Sequence, residues 1–132
     1  MFQGRVPRWI DEPLVRVLTS LVWVDRLYPN ESDRVAHIEG MRRAGRDFRE
    51  NPGKRFDSVE PILNAIADRF GPEVYGRFFR ACLAAARRKE LELVPERQMT
   101  TAETMKYLSE AAGADVVPFF RRWNGFAAVE KS

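Results

Sequence analysis

Apolar residues recur along most of the chain at the three- to four-residue spacing of one helix face. The widest apolar stripe begins beside Asp11 and Pro13, where an aspartate can cap a helix and a proline fits its first turn. We therefore expect a well-buried first helix from Asp11 to about Leu27, because Pro29 disfavours a helical conformation just before it.

Four or five further helices follow from the same spacing. The second, over about residues 32–50, has few apolar positions, which is typical of a surface helix. Asp57 with Glu60, and Thr100 with Glu103, have the spacing of a capping box and predict the starts of two more helices. Gly113 is expected to end the helix that begins at Thr100.

Together these elements predict an all-α fold. We expect a single domain over residues 1–132, a compact bundle of five or six helices with short connections, irregular at about 1–10 and 127–132. The sequence has no heptad, no internal repeat and no alternation typical of a sheet. A chain of 132 residues can bury a core without disulfides or a metal ion.

Composition excludes several kinds of site. With one Cys the chain cannot form an internal disulfide, and with one His, His37, it cannot by itself supply an H-E-x-x-H zinc site or a zinc finger. No apolar run approaches the roughly 18 residues of a membrane helix, and the first residues lack a signal-peptide core. We therefore expect the chain as given to be cytoplasmic, with no membrane partner; an upstream segment in a longer protein would leave its localisation open.

A single cysteine and a row of arginines are the candidate functional side chains on the predicted helices. Cys82 falls on an apolar stripe, which predicts that it packs in the core. Arg42, Arg46 and Arg49 share one face of the second helix and could contact phosphates. The net charge is only +3, so nucleic-acid binding is the last of our hypotheses. Acidic residues that would repel a polyanion alternate with these arginines: Asp33, Glu39, Asp47 and Glu50.

Three segments occur in an order that resembles a known family. They are PRWIDEPL at 7–14, ADRFGPEVY at 67–75, and a stretch at 100–123 that starts TTAETM and ends AAGADVVPFFRRW. In the last stretch a glycine ends one helix, an aspartate caps the next, and Phe119, Phe120 and Trp123 are expected to anchor it in the core. This order is similar to the C-terminal helical half of gluzincin-type zinc metallopeptidases.

The resemblance implies a role for one carboxylate. In that family a Trp-x-x-Glu-Gly segment supplies the third zinc ligand, and a helical subdomain closes one wall of the cleft. Trp9 and Glu12 match the motif, which implies that Glu12 is a zinc ligand, while Pro13 stands where the family has glycine. The H-E-x-x-H helix is absent. The chain then resembles a non-catalytic C-terminal subdomain, or a degenerate relative, with zinc only in a longer parent that has an upstream catalytic domain.

A different class of function remains open. The wide apolar stripe of the first helix also suits a stand-alone helical protein–protein interaction module. Trp9 and Trp23 could extend an exposed apolar patch for another protein. A monomeric chain whose first helix is fully covered, with both tryptophans buried, would argue against this module.

Overall fold

The computed structural model describes residues 5–22, 30–94 and 97–131, without the side chains of residues 20–22, 33 and 37. The prediction of an all-α fold is confirmed, since most of the described residues are helical. Within the described residues there are seven helices and no strand. They are α1 (Arg8–Val22), α2 (Glu31–Glu50), α3 (Glu60–Phe70), α4 (Val74–Arg87), α5 (Thr101–Ala112), α6 (Val117–Phe120) and α7 (Phe126–Val129).

Both ends of the described chain are more helical than the sequence predicted. The first helix begins at Arg8 rather than Asp11, because the amides of Ile10 and Asp11 both donate to the carbonyl of Pro7. Helix α1 therefore covers residues 8–10 of the stretch expected to be irregular, and the short helix α7 covers part of the tail expected to be irregular. The expected last part of the first helix, residues 23–27, and its expected end at Pro29 lie outside the described residues.

One of the two predicted capping boxes is confirmed and the other is wrong. The Thr100 hydroxyl accepts from the Glu103 amide at 3.0 Å, and the Glu103 carboxylate accepts from the Thr100 amide at 2.9 Å. By contrast α3 begins at Glu60 without a side-chain cap. The Asp57 carboxylate instead accepts from the side-chain amide of Asn124 at 2.7 Å, so a tertiary contact has replaced the local one.

The core is built around α3, which packs against α1, α2, α4 and α6. Its side chains Ile62, Leu63 and Ile66 have no exposed surface, and each buried side chain of this size stabilises the fold by about 1.5–3 kcal/mol. Buried Tyr75 on α4 donates its hydroxyl to the carbonyl of Leu63, and burial raises the pKa of Tyr75 well above its usual range. Each of the seven described helices contributes at least one buried apolar side chain.

The three aromatic residues expected to anchor α6 are buried to different extents. Phe120 has no exposed surface, whereas Phe119 and Trp123 are half-buried and pack against the core. The Trp123 indole N–H donates to the carbonyl of Asp57 at 3.3 Å. The anchor therefore joins α6 to the loop before α3 as well as to the interior.

Arg122, just after α6, binds the end of α2. Its guanidinium centre lies 3.7 Å from the centroid of the Phe48 ring. The last carbonyls of a helix have no intrahelical partner and carry partial negative charge, so a cation there is stabilising. The Arg122 guanidinium donates to three backbone carbonyls. Nε donates to the carbonyl of Lys54 at 3.0 Å, Nη1 to that of Phe48 at 2.7 Å and Nη2 to that of Asn51 at 2.6 Å.

A parallel β-bridge between Phe56 and Trp123 reinforces the same junction. The Phe56 amide donates to the Arg122 carbonyl at 2.8 Å, and the Asn124 amide donates to the Phe56 carbonyl at 2.9 Å. Desolvation lowers the pKa of Arg122, but a guanidinium remains charged at neutral pH. The side chain and backbone of this segment therefore hold the loop after α2 together.

A second arginine makes the same kind of contact elsewhere. Arg77 on α4 donates from Nε to the Ala111 carbonyl at 2.9 Å and from Nη2 to the Phe70 carbonyl at 3.0 Å. These carbonyls belong to the last turns of α5 and α3. One side chain thus satisfies the ends of two helices and fixes their separation from α4.

Helices α4 and α5 end in the same backbone motif with different residues at its left-handed position. That residue is Gly113 after α5, with φ of 72°, but Lys89 after α4, with φ of 61°. A side chain is strained in this conformation, whereas glycine is not. After α4, the Lys89 amide donates to the Ala86 carbonyl and the Glu90 amide to the Ala85 carbonyl. After α5, the Gly113 amide donates to the Glu110 carbonyl and the Ala114 amide to the Ser109 carbonyl.

Lys89→Gly should raise the free energy of unfolding by about 1 kcal/mol, because it removes the left-handed strain. Gly113→Ala should lower the free energy of unfolding by about 1 kcal/mol, because it introduces a side chain in the left-handed conformation. A Cβ there meets no atom within 4 Å, so the cost comes from backbone strain alone. Gly40→Ala, inside α2 and equally uncrowded, is the control and should raise it by about 1 kcal/mol. Urea unfolding measures all three, and destabilisation by Lys89→Gly would contradict the motif.

Arg122→Lys should lower the free energy of unfolding by about 2 kcal/mol, because an ammonium cannot reproduce a planar fork that reaches three carbonyls. Arg121→Lys is the matched control. Its exposed ion pair with Glu130 predicts a change within about 0.5 kcal/mol. Equal unfolding curves for the two variants would show that the Arg122 contacts do not stabilise the fold.

Candidate functional site

Trp9 fixes α1 against the C-terminal helices. Its ring is half-buried and stacks on Trp123, with ring centroids 5.2 Å apart. The rings of Phe120 and Phe126 lie nearly perpendicular to it, with their centroids 5.6 and 5.9 Å from that of Trp9. The indole N–H donates to the hydroxyl of Thr101 at 3.0 Å. Such aromatic pairs each contribute about 0.5–1.5 kcal/mol beyond burial, so the first turn of α1 is held firmly.

Glu12 lies one turn further along α1 in a different environment. Its side chain is 79% exposed, and its carboxylate accepts from Arg16 at 3.1 Å. Arg16 also reaches the carboxylate of Glu60, at the start of α3, at 3.7 Å. Exposed ion pairs of this kind contribute about 0–1 kcal/mol, so little energy opposes replacing Arg16 by another partner. The carboxylate implied as a zinc ligand is therefore accessible, on a helix that is fixed in place.

The carboxylate of Glu12 does not make a zinc site by itself. A catalytic zinc ion takes three protein ligands and keeps one position open. Among the residues that the structure describes, no three His, Cys, Asp or Glu side chains are placed to share a metal ion. The described residues therefore show no self-contained set of three zinc ligands around Glu12.

The proposed interaction patch is described in part. Trp23 lies outside the described residues, as does the side chain of His37. Trp9 directs its ring into contacts with other helices. Val15, on the outer side of α1, is an exposed apolar residue, with an exposed fraction of 42%. The patch that joins both tryptophans stays a prediction.

The three arginines on α2, Arg42, Arg46 and Arg49, differ in their ion pairs. Arg42 pairs with Glu39 on the same helix at 3.2 Å, and Arg49 reaches across to Asp68 on α3 at 2.7 Å. Arg46 is exposed and makes no ion pair with a described side chain. Two of the three positive charges therefore have carboxylate partners, and nucleic-acid binding by this face stays a prediction.

Cys82 is a core residue, as the sequence predicted. It has no exposed surface, and burial, with smaller contributions from Glu110 and Glu103, raises the pKa of its thiol to about 12. The reactive form of cysteine is the thiolate. Cys82 is therefore protonated at neutral pH and is not a nucleophile there.

Sequence reasoning missed a groove beside the end of α2. It measures about 240 Å³, and Arg49, Arg69 and Arg122 line it together with Phe48 and Phe119. No local pattern brings these residues together, because they lie on α2, α3 and the segment around α6. One signal in the sequence was the pairing of arginine and phenylalanine in both RF at 69–70 and FFRR at 119–122.

Comparisons with known proteins do not assign this chain to a family. No family model matches it, and neither a curated protein nor a solved structure does so. None of the helices in the described residues has the length and apolar character needed to cross a membrane. The gluzincin hypothesis therefore depends on the residues themselves.

Trp9→Ala should lower the free energy of unfolding by about 3 kcal/mol, because it removes a half-buried indole and its hydrogen bond. Glu12→Gln, one turn away, should change it by no more than about 0.5 kcal/mol, because the carboxylate has only an exposed ion pair. Urea unfolding measures both. A cost above about 1 kcal/mol for Glu12→Gln would assign that carboxylate a structural role instead.

Proposed function

We propose that this chain forms a helical subdomain of a gluzincin-like zinc metallopeptidase and is not catalytic by itself. Glu12 would contribute one carboxylate to a zinc ion whose other ligands lie in an upstream catalytic domain. The observation that carries the proposal is the contrast between two residues in one turn of α1. Trp9 is fixed among the C-terminal helices, while the Glu12 side chain is 79% exposed.

Rigidity supports a ligand role for Glu12. A metal ligand is effective when its backbone is held by packing, so that its carboxylate is already in position. Besides Trp9, three buried side chains of α1, Ile10, Leu14 and Val17, join the core. Arg16 lies one turn beyond Glu12, and its exposed ion pair places the carboxylate on the outer side of the helix without binding it strongly. The carboxylate thus needs little reordering to meet an ion brought by another domain.

The other residues of the chain would act as a wall of the cleft. A zinc ion bound there would polarise a peptide carbonyl and activate a water molecule. The described residues supply one ligand and a fixed surface around α1, so the chain alone would neither retain zinc tightly nor cleave peptides. The Arg16 guanidinium lies 3.7 Å from the Glu60 carboxylate, so the start of α3 borders the same surface.

A helical interaction module is the second candidate. The exposed Val15 on α1 favours it, because the outer side of this helix then carries an apolar contact between charged neighbours. One exposed valine is ordinary on a protein surface, which is why this function ranks second. The two candidates differ in Glu12, which only the metallopeptidase needs.

The test uses the native protein from its source. We expect an intact mass above the 15.3 kDa of this chain, an H-E-x-x-H segment upstream, and about one bound zinc per molecule. Glu12→Gln in that full protein should weaken zinc binding by at least about 100-fold without changing its thermal stability. Zinc content by mass spectrometry and affinity by competition with a chelator measure the effect.

The matched control is Glu39→Gln, because Glu39 is also a helical glutamate paired with an arginine. It should leave zinc affinity unchanged. Two results would contradict the proposal: sub-micromolar zinc binding by this chain alone that survives Glu12→Gln, or equal zinc affinity of the Glu12→Gln and Glu39→Gln proteins. A native mass near 15.3 kDa would instead favour the interaction module.

A further inference from the structure

The groove between the end of α2, α3 and α6 joins positive charge to aromatic surface. Its volume is about 240 Å³, somewhat below that of sites for drug-sized ligands. A space of this size suits a ligand with about one ring. Its principal lining residues are Phe48, Arg49, Ala65, Arg69, Phe119 and Arg122.

The aromatic side of the groove is fixed. The rings of Phe48 and Phe119 are stacked, with centroids 5.1 Å apart and planes 14° from parallel. Phe48 is buried and also stacks on Phe56, whereas Phe119 is half-buried and forms part of the groove surface. A flat apolar group could therefore contact an aromatic ring that is already in position.

The positive charge of the groove is only partly compensated. Arg49 pairs with Asp68, whereas Arg122 donates to three backbone carbonyls and Arg69 makes no ion pair with a described side chain. Three arginines and one aspartate leave two positive charges, and the nearby Asp47, which attracts Arg122, is itself paired with Lys54. Arginine has five N–H groups, so Arg122 retains two that are not used in those three bonds.

A glycine on α2 allows the charged side chains to approach. A Cβ at Gly45 would lie 2.1 Å from the Asp68 carboxylate, so any side chain there would push Asp68 away. Asp68, whose side chain is 15% exposed, in turn holds the Arg49 guanidinium at 2.7 Å. Arg49 is thus kept at the rim of the groove by a contact that only glycine permits.

We propose that this groove binds a small organic anion in which an oxyanion is attached to a flat apolar group. Guanidinium groups recognise carboxylate and phosphate oxygens through paired N–H donors, so Arg69 and the free N–H groups of Arg122 would bind the oxyanion. The flat group would lie against Phe119. This site is separate from Glu12 and does not depend on the proposed peptidase function.

Binding is tested by titrating the ¹⁵N-labelled chain with phenyl phosphate, benzoate and inorganic phosphate. We expect a Kd of about 1 mM or tighter for at least one of the two aryl anions, with amide shifts at Gly45, Phe48 and Ala65. Tighter binding of benzoate would identify a carboxylate ligand, and tighter binding of phenyl phosphate a phosphate ester. Inorganic phosphate should bind at least about tenfold more weakly than the better aryl anion.

Substitutions test the guanidinium groups and the aromatic surface of the groove separately. Arg69→Gln should weaken aryl-anion binding about tenfold, whereas Arg46→Gln, an exposed arginine of α2 outside the groove, should change it less than about twofold. Phe119→Leu should weaken phenyl phosphate but not inorganic phosphate. Absence of saturable shifts, equal effects of Arg69→Gln and Arg46→Gln, or equal affinity for inorganic phosphate would overturn the proposal.

Discussion

The contact between Arg122 and the end of α2 is the constraint on which the rest of the structure depends. One guanidinium satisfies three carbonyls from residues 48–54 and covers the ring of Phe48. The same segment pairs with Phe56, which places Trp123. Trp123 stacks on Trp9 and so positions α1. The orientation of Glu12, at the surface of α1, therefore depends on a junction formed by residues from the far end of the chain.

Arginine is suited to this junction because its donors lie in one plane. Helix ends leave several carbonyls in different directions, and a planar fork can bind more than one of them at once. Arg77 does so for the ends of α3 and α5, as Arg122 does for the loop after α2. In the described part of the chain neither arginine forms an ion pair, although Asp47 attracts Arg122, so both junctions consist mainly of hydrogen bonds to backbone carbonyls. They hold helices whose short connections could not fix the packing alone.

Local signals explain what the sequence could predict. The spacing of apolar residues and the box at Thr100 and Glu103 lie within single helices, so the all-α fold and the start of α5 were predictable. The signal at Asp57 was equally local, but its carboxylate binds Asn124, 67 positions later. The groove was missed for the same reason, since its arginines and rings converge from separate elements. For Glu12 the sequence indicated the residue, and the structure added its exposure.

Helix α3 connects the surface around Glu12 with the arginine-lined groove and also separates them. Glu60 at its first turn accepts from Arg16, the partner of Glu12, while Asp68 and Arg69 at its last turn belong to the groove region. A helix of 11 residues is about 16 Å long, and the side chains along its inner face are fully packed. Residues this far apart that share no partner act independently in most proteins. The two surfaces can therefore serve different ligands, and each depends on the same buried helix for its geometry.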